Sequence, residues 1–164
     1  MRVLPVKDSI FRLAKRILND IEDAEDVIQE VFYKLWERKE EISGYRSIEA
    51  FAMTMTKNLC LDRIKAKGYR KEPLEEWNSP VDHRSPEKIA ELKDEITMVH
   101  DVISRLPEQS RIIIQLRDIE GLGFDEIAEI MQMKPNAVRV ALSRARKSIK
   151  EQIIKKRTYE YQGN

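Results

Sequence analysis

Cysteine occurs once, at Cys60, so no intramolecular disulfide can form and a reducing compartment suits the chain. Histidine occurs twice, at His83 and His100, too far apart and too isolated for any metal-ligand spacing. No apolar run is long enough to span a membrane, and the opening Met1-Arg-Val-Leu-Pro5 has no signal-peptide core. Only five of 164 residues are glycine while 36% are charged, a balance that suits exposed helices better than sheet or disorder. Gly121 and Gly123 precede a helix but lack the strand and third glycine of a dinucleotide site. Asp125, Glu126 and Glu129 read as favourable charges near a helix N-terminus, not as catalytic acids. Cys60 and Met55 read as core, and His100 as a surface helix residue. The expectation is a soluble, cytoplasmic protein that is not an enzyme and needs no metal, cofactor or small-molecule substrate.

The net charge is only +1, but its distribution is uneven. Residues 1–70 carry 14 Lys/Arg against 12 Asp/Glu, residues 71–110 carry 5 against 10, and residues 111–164 carry 11 against 7. Two windows stand out: 134–157, with nine basic residues and one acid, and 57–71, with six and one. Both place positive charge at helix ends, as a two-point footprint on nucleic acid would. The competing reading of each is a solvated helix face.

Helical periodicity runs through most of the chain. A first helix over 8–18, with Asp8 as cap, packs Phe11, Ala14 and Leu18. A second over 21–39, capped by Asp20, turns Ala24, Val27, Ile28, Val31 and Leu35 inward at spacings of three and four. A third, from Ser47 to about Lys67, buries Ile48, Phe51, Ala52, Met55 and Leu59. Gly68, Pro73, Pro80 and Pro86 then punctuate an acidic stretch without a stripe, which reads as a linker. Beyond it Ile89, Leu92, Ile96, Val99, Ile103 and Leu106 form a heptad-like stripe that Pro107 interrupts. Helices over 108–119 and 124–131 and from Pro135 to about Lys156 complete the pattern. The fold class is all-α: two small helical domains joined by a flexible linker, the second ending in a helix-turn-helix. The boundaries are 1–70, a linker over 71–88, 89–157, and a tail over 158–164.

The segment GFDEIAEIMQMKPNAVRVALSRARKSIK, from Gly123, carries the helix-turn-helix signal. At about 100° per residue, Val138, Leu142, Ala145 and Ile149 share one face of its second helix. Asn136, Val140, Ser143 and Lys147 lie opposite, flanked by Arg139, Arg144 and Lys150. Such a face offers the donors and acceptors that major-groove base edges need, with further cations for phosphates.

LPEQSRIIIQLRDIEGLGFDEIAEIMQMKPNAVRVALSRARKSIKE resembles region 4 of extracytoplasmic-function sigma factors of the sigma-70 family. FRLAKRILNDIEDAEDVIQEVFYKLWE and IEAFAMTMTKNLCLDRIKAK resemble their region 2, and the likeness runs over 3–151 with both regions in order. The opening VLPVKDSIFRLA is similar to members from Bacteroides-like bacteria. The resemblance implies an alternative sigma factor that binds core RNA polymerase and directs initiation at promoter DNA. The first domain would open the −10 element and the second would read the −35 element. A membrane-anchored anti-sigma factor is the further partner the family implies.

On the second helix, Asp26, Gln29, Glu30, Tyr33 and Glu37 face away from the core stripe. The family uses this face to grip the polymerase's largest subunit, which assigns polymerase binding to Asp26, Gln29, Glu30 and Tyr33. On the third helix, Asn58 and Asp62 lie one turn apart, and Lys57, Arg63, Lys65 and Lys67 crowd its C-terminal half. In the family the preceding loop, here 41–46, pockets a base flipped from the non-template strand. Tyr45 or Arg46 could hold it. The −10 set is therefore Tyr45, Arg46, Asn58, Asp62, Arg63 and Lys65. The −35 set is Asn136, Arg139, Val140, Ser143, Arg144 and Lys147.

The chain departs from the family pattern at Gln132, where the turn usually has glycine, and at Lys134, where the recognition helix usually has a Ser/Thr cap. Losing such a cap typically costs about 1 kcal/mol, partly offset by Pro135 in the first turn. Val140 and Ala141 replace the serine and arginine of many members, so fewer phosphate contacts are expected and Val140 could meet a thymine methyl. Two rival readings are a stand-alone helix-turn-helix regulator and a protein-interaction module that keeps the fold without DNA contacts. The first lacks a sensor or dimer domain, and the basic clusters speak against the second.

Overall fold

Asn19 and Asp20 separate the first two helices by a change of backbone region. In the computed structural model, which describes residues 3–68 and 86–163, α1 (Val3–Leu18) stops as Asn19 turns left-handed at φ +51°. Asp20 is extended, and its carboxylate accepts the Asp23 amide at 2.9 Å, opening α2 (Ile21–Glu37). A cap of this kind contributes about 1 kcal/mol. A short α3 (Lys39–Ile42) follows, absent from the sequence-based expectation. Ser47 Oγ then accepts the Ala50 amide at 3.1 Å to start α4 (Ile48–Lys67), which Gly68 closes at φ +60°. Because α1 begins at Val3, Asp8 lies inside the helix and does not cap it.

The α2 stripe is as expected: Ala24, Val27, Ile28 and Val31 are buried and Leu35 is partly so. The α4 stripe holds in part: Ala52 is buried and Met55 and Leu59 pack against the core, but Ile48 is exposed, and Ala50, Met53, Thr56 and Lys57 are buried as well. Packing supplies the reason. α4 rests on α1 and α2 and also on a helix of the second half, so its buried face is wider and partly polar.

That second half comprises α5 (Pro86–Ser104), α6 (Glu108–Ile114), α7 (Phe124–Met131) and α8 (Pro135–Gln162). Of the expected linker, 71–85 lies outside the described residues, and residues 86–88 begin α5 instead. Residues 158–162 of the expected tail are the last turns of α8. In the α5 stripe Ile103 and Leu106 are buried, but Val99 faces solvent and Val102 takes the inner position. The expected helix over 108–119 changes winding midway: α6 continues as a π-helical turn, Gln115–Ile119. There the Glu120 amide reaches back five residues to the Gln115 carbonyl at 3.0 Å, and Gly121, at φ +75°, ends it.

The two halves touch directly. α1 packs on α6 and the π turn, α4 packs on α7, and the buried apolar residues of both halves form one cluster. Arg12 grips Glu120 through two bonds of 2.8 and 2.7 Å. The buried Arg16 donates to Gln115 Oε1 at 3.0 Å, to Ser104 Oγ at 3.4 Å and to His100 Nδ1. Lys57 Nζ donates to the Ile130 carbonyl at 2.6 Å.

His100 is therefore not the surface residue expected from the sequence. Burial first, then the charges of Arg16 and Lys15, push its pKa down from 6.5 to about 4. The neutral ring accepts from Arg16. In the unfolded chain the same ring takes up a proton at about 6.5. Its contribution to stability is thus complete above 6.5 and is lost as pH falls toward about 4. We expect one of the two histidines to titrate near 4 by NMR, assigned to His100 by a His83→Gln variant. A His100 midpoint near 6.5 would contradict this packing.

Candidate polymerase and nucleic-acid interface

Helix α8 enters the helix-turn-helix without a side-chain cap: Lys134 supplies none, and Pro135 occupies the first turn. Gln132, where glycine is usual, holds the left-handed turn itself at φ +52°. A non-glycine residue there costs roughly 1–2 kcal/mol, which its amide bonds to the carbonyls of Ala128 and Glu129 help to offset. At the other end of α7, Glu126 accepts the Gly123 amide at 2.9 Å, so this carboxylate is a cap. These devices set where α8 points.

The predicted split of α8 holds. Val138, Leu142 and Ala145 are buried, with Ile149 partly so, while Asn136, Arg139, Val140, Ser143, Arg144, Lys147 and Lys150 are all exposed. Val140 keeps 49% of its surface in solvent, unusual for valine and compatible with a contact to a thymine methyl. The two arginines differ in a way the wheel does not reveal. Arg139 stacks over Phe124 at 4.7 Å and donates to Asn136 Oδ1 at 3.1 Å, and Arg117 covers Phe124 at 4.5 Å. Arg144 has no hydrogen bond or ion pair among the described residues.

Several cations of the 134–157 window are engaged inside the protein. Arg146 forks onto Asp118, with one bond at 3.0 Å, Lys156 pairs with Asp101, and Arg157 meets Glu95 at 3.3 Å. The last two pin the end of α8 to α5. Arg144, Lys147 and Lys150 keep their charge turned to solvent on the outer side of α8.

In the first half, Tyr45 lies in the loop before α4, half-exposed, edge-on to Phe51 at 5.1 Å and donating to Glu41 at 3.1 Å. That hydrogen bond holds its phenol above the ordinary value. Arg46 beside it is exposed, so both candidates for a base-holding contact remain accessible. Asn58, Asp62 and Lys65 are exposed along α4. Arg63 is turned back onto α2, where it meets Asp23 at 3.6 Å and Asp26 at 3.8 Å. The structure thus joins one residue of the expected −10 set to one of the expected polymerase set. Lys57, counted with the basic cluster, is buried against α7 and presents no charge to DNA. Cys60 is buried as expected, which pushes its thiol up to about 12.

On the outer face of α2, Asp26 and Gln29 are exposed, and Glu30 pairs with Lys34 at 3.3 Å. Tyr33 is 63% exposed, its phenol raised by a hydrogen bond to Glu37. Trp36, which the sequence reading missed, is 68% exposed with Lys39 above its ring at 4.2 Å. The available signal was its position seven residues after Gln29, on the same helix face and outside the core stripe. Gln29, Tyr33 and Trp36 form a line of large side chains with no core to serve, the composition of a protein-contact patch.

The sequence matches the family model for Sigma-70 region 2 over residues 3–69 and that for Sigma-70, region 4 over 96–149. It is 32% identical to the RNA polymerase sigma-H factor of Pseudomonas aeruginosa over 158 residues, covering 90% of this chain and 81% of that one. It is 26% identical to the ECF RNA polymerase sigma factor SigW of Bacillus subtilis, covering 90% of this chain and 84% of that one. Among solved structures it resembles the sigma factor RpoE of Bartonella quintana, solved with the anti-sigma factor NepR. The TM-score is 0.74 at 18% identity, covering 92% of this chain and 93% of that one.

Proposed function

The chain belongs to the sigma-70 family as an extracytoplasmic-function sigma factor that binds core RNA polymerase and directs promoter-specific initiation, and we propose how its two halves divide that work. The first half docks on polymerase through the outer face of α2: Asp26, Gln29, Glu30, Tyr33 and Trp36. It handles the −10 element through Tyr45 and Arg46 in the loop and Asn58, Asp62 and Lys65 along α4. The second half reads the −35 element with Asn136, Val140, Ser143 and Arg144. Arg139 assists from its stack on Phe124, and Lys147 and Lys150 take phosphates. Arg63 acts by setting α4 against α2, not by touching DNA.

The observation that carries this reading is the division of α8. One side is buried in its own fold, and the other exposes amide, hydroxyl, methyl and guanidinium groups in a row. A stand-alone regulator is less well supported, since the α2 patch would then have no use. The Bartonella quintana relative was solved with the anti-sigma factor NepR and another similar structure, CnrH, with the cytosolic domain of CnrY, and we extend an anti-sigma partner, membrane-anchored, to this chain. No helix among the described residues is long and apolar enough to cross a membrane, and a cytoplasmic location is part of the role proposed.

The test is run-off transcription with core polymerase over genomic fragments. Discrete transcripts that need both the chain and a defined upstream sequence are expected. Transcripts indistinguishable from core polymerase alone would overturn the reading. The same holoenzyme should bind its promoter far more tightly than the free chain does, because a net charge of +1 gives little long-range attraction to DNA.

A further inference from the structure

Phe124 opens α7 half-buried, with part of its ring against the core and the rest carrying two guanidiniums. Arg117, from the π turn, lies 4.5 Å from the ring centre, and Arg139, from α8, lies 4.7 Å from it. Arg117 is itself anchored, since its Nη1 donates to the carbonyl of the buried Leu122 at 2.8 Å. The next residue, Asp118, takes the fork of Arg146, about two turns beyond Arg139 on the same face of α8. The π turn therefore meets α8 twice, once through the Phe124 ring and once through a carboxylate. Local π winding of this kind often accompanies a functional site.

Fold stability alone does not account for the first of these meetings. Two like charges share one ring, and neither Arg117 nor Arg139 pairs with a carboxylate among the described residues. Stacking, however, leaves the in-plane N–H donors of a guanidinium unspent. Arg139 is exposed and gives one donor to Asn136 Oδ1 at 3.1 Å, so its other donors remain available. With that oxygen engaged, the exposed Asn136 offers its amide NH2. Side by side, the two side chains present donors, and the base edge that answers with two acceptors is guanine, through O6 and N7. Arg144, by contrast, stands without a ring or a hydrogen-bond partner among the described residues.

We propose that Phe124 is a positioning residue for promoter specificity: its ring, held by Arg117, fixes the Arg139 guanidinium beside Asn136 and so sets a preference for guanine at one −35 base pair. A long exposed arginine loses rotamer freedom when it binds, and a ring that already holds it removes much of that loss from the binding step. This role rests on the sigma-factor reading, but the first measurement of it needs no DNA. In the free full-length chain, NMR relaxation of the Arg139 side-chain Nε–H, assigned from its loss in Arg139→Ala, should report an ordered group. Phe124→Leu, which keeps an apolar side chain over the core, should leave it as mobile as an unsupported surface arginine. Phe124→Tyr, which keeps the ring, should restore the parent order. Replacing the ring by its trifluorinated analogue, nearly the same shape with a weaker negative face, should loosen Arg139 with circular dichroism unchanged, which keeps the test valid if Phe124→Leu loses helicity.

In holoenzyme, Phe124→Leu should reduce discrimination for guanine at the Arg139 base pair roughly three- to tenfold, the range expected for immobilising one long side chain. Discrimination at the base pair met by Arg144 should not change. Adding Phe124→Leu to Arg139→Ala should cost promoter binding nothing further. An Arg139 that is already mobile in the parent chain, or that stays ordered in both the leucine and the fluorinated variants, would overturn the positioning role. So would a double variant weaker than Arg139→Ala, since Phe124 would then act on its own, or an Arg139→Ala holoenzyme that discriminates as the parent does. Ring-dependent order at Arg139 without promoter-specific transcription by the holoenzyme would instead remove the sigma reading.

Discussion

Alanine at both Tyr33 and Trp36 should weaken association with core polymerase by at least about 2 kcal/mol, roughly thirtyfold, with helicity unchanged. Both rings lie on the outer face of α2, largely in solvent, so their removal costs the fold little. Exposed aromatics of this size serve as interface anchors because they bury much area at low entropic cost. Adding Gln29→Ala should deepen the loss. Asp26→Ala is a less clean probe, since it also releases Arg63 from an ion pair that ties α4 to α2. Fluorescence titration of labelled chain with core polymerase measures the effect. An affinity within twofold of the parent would remove α2's outer face as the docking surface.

Arg144→Ala should lose about 1–3 kcal/mol at the native −35 element and relax discrimination at one base pair. Arg144 is exposed on α8 without a competing partner among the described residues, so its guanidinium is available for a bidentate contact to guanine. Lys147→Ala and Lys150→Ala should instead weaken binding about equally on every sequence, each flattening the salt dependence by roughly one unit. Arg139→Ala stands between these cases. It removes a stack on Phe124, worth about 0.5–1 kcal/mol at an exposed site, so part of its effect should appear as lost stability in the absence of DNA. The measurement is holoenzyme binding to native and single-base-substituted −35 elements over a salt series. If Arg144→Ala behaves like the lysine variants, base reading passes to Asn136, Val140, Ser143 or DNA shape.

The structure changes how the charge pattern is to be read. Of the cations in 134–157, Arg146, Lys156 and Arg157 serve Asp118, Asp101 and Glu95. In the other basic window Arg63 and Lys67 serve Asp23, and Lys57 serves a backbone carbonyl. A count of Lys and Arg along the chain measures the charge available but not its allocation. Phosphate-binding capacity is accordingly smaller than the counts suggest, which strengthens the expectation that polymerase must tether the chain to its promoter.

What the sequence determined by itself is local. The α2 stripe, the helix-turn-helix bounded by Gly121, Gly123 and Pro135, and the inward and outward faces of α8 all follow from spacings of three and four and from turn residues acting on their neighbours. The sigma-70 resemblance was legible for the same reason, since the motifs occupy continuous stretches. What only the tertiary structure decided depends on partners far away in the chain. Glu120 lies 108 positions from Arg12, and Gln115 lies 99 from Arg16, so nothing near either arginine announces its acceptor. The extra burial along α4 has the same origin: Lys57 looks like surface until its amine meets the Ile130 carbonyl of α7. His100 likewise reads as solvent-facing on its own helix and becomes a half-buried neutral acceptor only when α1 brings Arg16 against it. Helical period specifies which residues share a face. Which face meets which is decided by apolar burial and polar pairing between segments, and those terms exist only once the chain has folded.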